Sequence, residues 1–158
     1  MGVGTRLGIA TRLTLAALFL SSLIGAAPPV THQFSEGQVW EYQTRPGDEG
    51  SLLKIQKIEP LTGMAQPERV FHITIIGVHF RAGDEPQALG HAPFSQAALD
   101  ASVTRLSRSQ ALFPDAAEGI AEWRKANGGV FTITVAAAVE TVARSLQPQG
   151  MAETAPTT

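Results

Sequence analysis

A long strand-like stretch between Arg69 and Arg81 constrains the fold more than any other part of this sequence. β-Branched and aromatic residues dominate it, a composition that favours a β-strand over a helix. Apolar positions alternate regularly up to Ile75, but beyond Gly77 they change parity. One additional residue at Gly77 would return them all to one face, so the pattern predicts a β-bulge there. The core face would then carry Phe71, Ile73, Ile75, Val78 and Phe80.

The same alternation places the polar residues of this strand together on its second face. The neighbouring hairpin would add polar residues of its own to that face. The alternative is a central strand buried on both faces, which requires a second layer for which the chain offers little material. The first interpretation predicts an exposed polar surface formed by Glu41, Gln43, Arg45, His72, Thr74, His79 and Arg81.

A β-hairpin is predicted before the central strand. Alternating residues indicate strands at 38–45 and 51–59, joined by a turn that contains Pro and Gly. Arg45 lies beside Asp48 and Glu49 in this turn, where backbone N–H groups can form an anion-binding nest. The two carboxylates would repel an anion, so a solvated hairpin tip is the favoured interpretation.

Helical patterns dominate the second half of the chain. Residues 82–93 are interpreted as a loop rich in Gly and Pro, and 130–133 as a short strand. Helices are predicted to begin at the capping residues Ser95, Asp115 and Thr134. The order β-β-β-α-α-β-α predicts an α+β domain, in which three helices pack on one face of a mostly antiparallel sheet of about four strands.

The first 27 residues have the three parts of a secretory signal peptide. Arg6 and Arg12 precede an apolar run that ends in small residues. This run is shorter than the roughly 20 residues that a membrane-spanning helix needs. The sequence therefore predicts cleavage and a periplasmic or secreted protein, with an uncleaved anchor as the alternative. The predicted organisation is a signal peptide at 1–27, a flexible lead at 28–36, one α+β domain at 37–147 and a disordered tail at 148–158.

The charge of the mature chain restricts its partners. Removal of Arg6 and Arg12 from the 12 basic residues leaves 10 against 14 acidic residues, a net charge of −4. Without a basic patch, nucleic acid is not an expected partner. No later stretch is long enough to span a membrane, so no membrane association is expected after cleavage. The chain has no cysteine, and its core alone must therefore stabilise the domain.

Several short motifs resemble those of a family of small, uncharacterised bacterial proteins. The resemblance covers about residues 37–146 and rests mainly on the patterns W-x-Y-x-T-R-P-G-x-E-G-S and H-x-P-F-S. It implies no established activity, so no catalytic residue follows from it. The matching segments are Val39–Ser51, Phe71–Ile73, His91–Ser95 and Gly129–Ile133.

The four histidines are weak candidates for a metal or catalytic site. His72 and His79 are separated by roughly 23 Å along an extended strand, too far to share a metal ion. His79 and His91 would meet only if the 82–93 loop folded back. Ser95 is better explained as a helix cap than as a nucleophile beside His91 and Asp100. No metal, cofactor or catalytic residue is therefore predicted.

A small exported binding or protein-interaction module without enzymatic activity is the favoured function, with an unidentified protein or small molecule as its partner. The alternative is a small hydrolase-like or metal-dependent enzyme that uses His79 and His91. A pocket holding both histidines would favour the enzyme, and an open polar sheet face would favour the module. The candidate binding residues are Arg45, His72, Thr74, His79, Arg81 and His91.

Overall fold

A computed structural model describes residues 30–61 and 68–147, together with Met1. Most of the expected signal peptide and the whole expected tail at 148–158 lie outside the described residues. Within the described ranges, no helix is long and apolar enough to cross a membrane. The elements are β1 (Val39–Tyr42), β2 (Leu52–Leu61), β3 (Glu68–Val78), β4 (Gln87–Ser95), α1 (Gln96–Asp100), β5 (Val103–Ser107), α2 (Ala117–Lys125) and α3 (Val135–Ser145).

The strands form one antiparallel sheet in the order β4-β3-β2-β1-β5, which confirms the predicted α+β class. The sheet has five strands rather than about four. Gly90 and Pro93 suggested a loop, but both lie in β4, which pairs with β3 on one side. Proline is tolerated at a sheet edge because one side of the strand needs no N–H donor.

Two further boundaries differ from the sequence-based prediction. Helix α1 ends at Asp100, and Val103 and Leu106 lie in β5, a strand that the predicted order does not contain. The predicted strand at 130–133 contributes only one parallel bridge, between Phe131 and Phe94. Apolar spacing over a few residues fits a helix and a strand equally well, which explains both errors.

The bulge at Gly77 is confirmed. The pairing of β3 with β4 shifts between Ile76 and Val78, and Gly77 has a φ of +78°. The five apolar residues predicted for the core face are all buried in one cluster, which also contains Val135 and Val139 of α3. Helix α3 thus covers this face of the sheet, and Thr134 caps it as predicted by accepting a hydrogen bond from the N–H of Ala137.

The prediction of an exposed second face is wrong for His72 and Thr74, because both are fully buried. Trp123 of α2 packs edge-on against His72, with 4.8 Å between the ring centroids. Helix α2 therefore covers the face opposite to α3, and the three helices do not share one face. The alternative of a central strand buried on both faces is the one observed at these positions.

The segment before β1 is part of the domain rather than a flexible lead. Phe34 is buried in the core and packs edge-on against Trp40 and Phe71. The backbone N–H of His32 donates to Asp100 Oδ1 at 2.7 Å. At least residues 32–34 are thus fixed by the packing of an aromatic side chain and by a hydrogen bond to a charged group.

The bulge provides a test of how β3 is placed in the sheet. A methyl group at Gly77 would lie 3.2 Å from the Cα of Ser51, whereas one at Gly37, which has a φ of +87°, would meet nothing within 4 Å. We expect Gly37→Ala to lower the free energy of unfolding by about 1 kcal/mol, the cost of a positive φ. Gly77→Ala is expected to cost about 1–3 kcal/mol more, because it adds overpacking. Urea denaturation of both variants measures the difference, and equal losses would show that the contact with Ser51 is unimportant.

Candidate functional site

Three of the six predicted binding residues line one cleft at the end of the sheet. The cleft has a volume of about 330 Å³ and lies between the β1–β2 turn, the residues that follow β3, and α3. We call it the Asp48 cleft. Its polar lining consists of Arg45, Asp48, His79, Arg81, Glu140 and Gln147.

Asp48 is the buried residue that holds Arg45 and His79 in position in the cleft. Its side chain is 2% exposed, and its two oxygens have separate partners. Oδ2 accepts from Arg45 Nε at 2.6 Å, and Oδ1 accepts from the backbone N–H of His79 at 2.8 Å. Burial raises the pKa of Asp48, but the hydrogen bonds from Arg45 and His79 outweigh it and lower the pKa below its ordinary value. The turn is therefore not the solvated tip that the sequence suggested.

His79 is oriented by the same carboxylate. Its Nδ1 lies 3.1 Å from Asp48 Oδ1, and an ionised carboxylate only accepts hydrogen bonds, so Nδ1 carries the proton and donates. In the neutral ring Nε2 is then an acceptor, and it has no partner within residues 30–61 and 68–147. The side chain is 32% exposed, so this nitrogen is available to a ligand.

The two arginines of the cleft have different roles. Arg45 donates to Asp48, to Glu140 Oε2 at 2.7 Å and to the carbonyl of His79, so it joins the turn to β3 and α3. Arg81 is exposed and donates only from Nη2, to the carbonyl of Leu146 at 2.9 Å. The remaining donors of Arg81 are unused within the described part of the chain. Arg45 is thus a structural clamp, and Arg81 is the cation that a ligand can reach.

The other three predicted residues, His72, Thr74 and His91, lie on the side of the sheet that α2 covers. His91 Nε2 lies 2.8 Å from His72 Nδ1, and the two rings are stacked with centroids 5.1 Å apart. His72 Nε2 lies 3.2 Å from Glu59 Oε1, and Arg124 forms two hydrogen bonds to the Glu59 carboxylate. We call His72, His91, Glu59 and Arg124 the histidine cluster.

Thr74 extends this buried network along β3. Its hydroxyl donates to the carbonyl of Gly90 at 3.1 Å and accepts from Gln56 Nε2 at 3.1 Å. Gln56 also donates to the carbonyl of Pro114, in the segment that leads to α2. All polar atoms of the Thr74 side chain are therefore occupied within the fold, and Thr74 is not a surface residue for a ligand.

The alternative enzyme that uses His79 and His91 together is not supported by these positions. His91 contacts His72, which lies about 23 Å from His79 along an extended strand. In the ranges that the structure describes, no group of three or more His, Cys, Asp or Glu residues is arranged to hold a metal ion. The two histidines thus belong to separate clusters, His79 at the Asp48 cleft and His91 beside α2.

A larger cavity of about 930 Å³ lies beside α1. Val30 and Glu68 form part of its lining, and each adjoins residues outside the described ranges. Asp100 also lines it, but this carboxylate is already held by His32. We therefore place the candidate site in the Asp48 cleft, whose polar groups have defined partners and orientations.

Sequence reasoning identified Arg45, His79 and Arg81 but missed Asp48 as their organiser and Glu140 as their neighbour. Asp48 was seen only as surface charge in a turn. Glu140 lies 95 positions beyond Arg45, and no local pattern marks it as a partner. Comparisons with protein-family models, with curated proteins and with solved structures find no match. The geometry of the chain itself is therefore the basis for the proposals that follow.

The buried carboxylate generates a prediction about stability. Asp48→Asn removes the negative charge that holds Arg45 and His79, and we expect it to lower the free energy of unfolding at pH 7 by about 2 kcal/mol. Because the folded-state pKa of Asp48 is below its ordinary value, wild type loses this stabilisation as the pH falls below about 4. The difference between the two proteins should therefore shrink at pH 3.

Urea denaturation at pH 7, 5 and 3 measures this effect. Glu85→Gln serves as a control because Glu85 is exposed and makes no ion pair within the described residues. It should change stability by less than about 0.5 kcal/mol at each pH. A difference between Asp48→Asn and wild type that persists unchanged at pH 3 would show that the charge of Asp48 is not what stabilises the turn.

Proposed function

We propose that the protein is an exported binding module, without enzymatic activity, that holds a small zwitterionic ligand in the Asp48 cleft. A free amino acid or a short peptide has the required chemistry. The observation that carries the proposal is that three kinds of group converge in one cleft. These are the cation Arg81, which has unused donors within the described residues, the oriented acceptor His79 Nε2, and the carboxylate of Glu140.

The charges of the cleft support a ligand that has both signs. Arg45 and Asp48 neutralise each other in a direct ion pair. Arg81 remains to bind a carboxylate, which matches the fork of a guanidinium group. His79 Nε2 and the partly exposed Glu140 accept hydrogen bonds, which suits an ammonium group. A ligand with only negative charge could pair with Arg81 but would offer no donor to His79 Nε2.

The size of the cleft favours a small molecule over a protein partner. Its volume of about 330 Å³ lies at the lower end of the range for ligand pockets, roughly 300–1,000 Å³. A stable protein interface covers about 800 Å² on each partner, much more than this cleft offers. The candidate ligand is therefore of the size of one amino acid or a dipeptide.

A hydrolase remains a second candidate because of the Asp48–His79 pair. A buried carboxylate that holds Nδ1 of a histidine leaves Nε2 as a general base for water, the arrangement used in many hydrolytic sites. No Ser, Thr or Cys lines the Asp48 cleft within the described residues, so the cleft has no hydroxyl or thiol nucleophile among them. Any such reaction would have to use water directly and His79 alone.

Export is the first part of the proposal that can be tested. The support for it is the sequence of residues 1–27, with two arginines before an apolar run. We expect the chain expressed in a bacterial host to be found in the periplasm or medium, with an intact mass that corresponds to cleavage near Ala26. The double variant Arg6→Glu and Arg12→Glu should stay unprocessed in the cytoplasm. Processing that is unaffected by this charge reversal, or a full-length mass, would contradict the proposed signal peptide.

Ligand binding is tested by calorimetry with free amino acids and dipeptides, each compared with its carboxyl-amidated and N-acetylated forms. We expect binding of the zwitterions and loss of binding when either end is blocked. Arg81→Gln should weaken binding about tenfold, equivalent to about 1.4 kcal/mol, because it removes one charge-assisted hydrogen bond. Arg105→Gln is the matched control, since Arg105 is exposed and pairs with Glu41 on β1.

The outcomes separate the two candidate functions. An equal effect of Arg81→Gln and Arg105→Gln, or no binding of any zwitterion, would overturn the proposed ligand class. Dipeptides that bind and stay intact for hours, as followed by NMR, support the binding module. Cleavage of a dipeptide that disappears in His79→Gln would support the hydrolase instead.

A further inference from the structure

The histidine cluster is a chain of hydrogen bonds whose direction can be assigned. Glu59 is ionised and accepts, so His72 Nε2 donates to it. His72 Nδ1 in the neutral ring is then an acceptor, and His91 Nε2 donates to it. The lone pair of the cluster that has no donor within the described residues is therefore on His91 Nδ1. A further proton would enter the cluster there.

That nitrogen faces the first turn of α2. A methyl group built on Gly119 would lie 2.5 Å from Cβ of His91 and 3.1 Å from its Nδ1. The helix thus approaches the His91 ring so closely that only a glycine fits at this position. The N-terminal end of a helix carries a partial positive charge, so an imidazolium at His91 would be repelled by the element that covers it.

We propose that the histidine cluster is an acid-operated latch, in which protonation of His91 releases α2 from the sheet. At neutral pH the uncharged ring packs against Gly119, while Trp123 covers His72 and Arg124 ties the end of α2 to Glu59. In acid the charged ring lies against the positive N-terminal end of α2, and this repulsion disfavours the docked helix. The proposal is independent of the Asp48 cleft.

The charged groups around the pair favour His91 as the controlling residue. His72 faces Glu59, Arg124 and Lys57, of which Glu59 favours its charged form and the two cations oppose it. Among residues 30–61 and 68–147, His91 faces no acidic side chain that compensates its charge, and Glu118, which adjoins Gly119 on α2, is exposed. Burial, and secondarily the neighbouring His72, lower the pKa of His91 to about 4.

The sign of the pH dependence follows from this shift. The ordinary pKa of the unfolded or undocked histidine is 6.5, and that of docked His91 is about 4. The state with α2 undocked therefore binds more protons, at His91, between these values, and docking is fully favoured above pH 6.5. It weakens progressively as the pH falls from 6.5 towards 4. Mild acid should release α2 before the rest of the domain unfolds.

Hydrogen exchange of the whole chain, followed by mass spectrometry between pH 7 and pH 4, tests the latch. We expect protection factors in 117–125 to fall by at least about tenfold at pH 4.5, while those in 135–145, the residues of α3, change little. The variant His91→Gln keeps a donor for His72 but does not titrate. It should retain the protection of α2 at pH 4.5. His32→Gln is the matched control and should show the same acid release of α2 as wild type, because His32 pairs with Asp100 outside the cluster.

Two results would overturn the latch. One is a loss of protection that occurs in α2 and α3 at the same pH, which would indicate global unfolding. The other is an acid release of α2 that persists in His91→Gln. If that variant does not fold, NMR titration of the wild-type histidine ring protons decides the question. Titration of His91 near pH 4 supports the latch, whereas titration at or above 6.5 rules it out.

Discussion

The polar side chains in the middle of β3, His72 and Thr74, must find their hydrogen-bond partners inside the protein, because both faces of this strand are covered there. An unsatisfied polar group in such a place costs about 1–3 kcal/mol. Throughout the described residues, no buried side-chain nitrogen or oxygen is left without a partner. His72 and Thr74 achieve this through groups supplied by β2, β4 and the approach to α2. The second layer therefore depends on polar complementarity as much as on apolar contact.

The same strand also determines where the open site lies. The bulge at Gly77 keeps Val78 and Phe80 in the core, so His79 and Arg81 project towards the other side. Asp48 accepts the backbone N–H of His79 and thereby fixes the chain where the strand ends. The Asp48 cleft is thus a consequence of how β3 terminates, and its residues are brought together by backbone geometry rather than by proximity in sequence.

The sequence predicts the features of this fold that depend on local chemistry. Strand alternation identified the core face of β3 and the bulge, and Thr134 was identified as a helix cap. Prediction from the sequence failed where the structure depends on contacts between residues distant in sequence. Nothing local shows that α2 would cross to the second face, so His72 and Thr74 were assigned to solvent. Gly90 and Pro93 resemble loop residues unless it is known that β4 is an edge strand.

The histidine pair beside α2 and the histidine of the Asp48 cleft differ in what they contribute, although all three were candidate binding residues. His79 has a carboxylate partner, a free ring nitrogen and access to solvent, which are the requirements for recognising a ligand reversibly. His72 and His91 form a hydrogen bond with each other beside α2, so a change in their charge alters the contacts that hold this helix. Selection for ligand binding alone would not require a titratable pair in an interior that an apolar layer could fill. The pair lies against α2, which contacts the His91 ring through Gly119. This position therefore favours a role in responding to pH over a role in recognition.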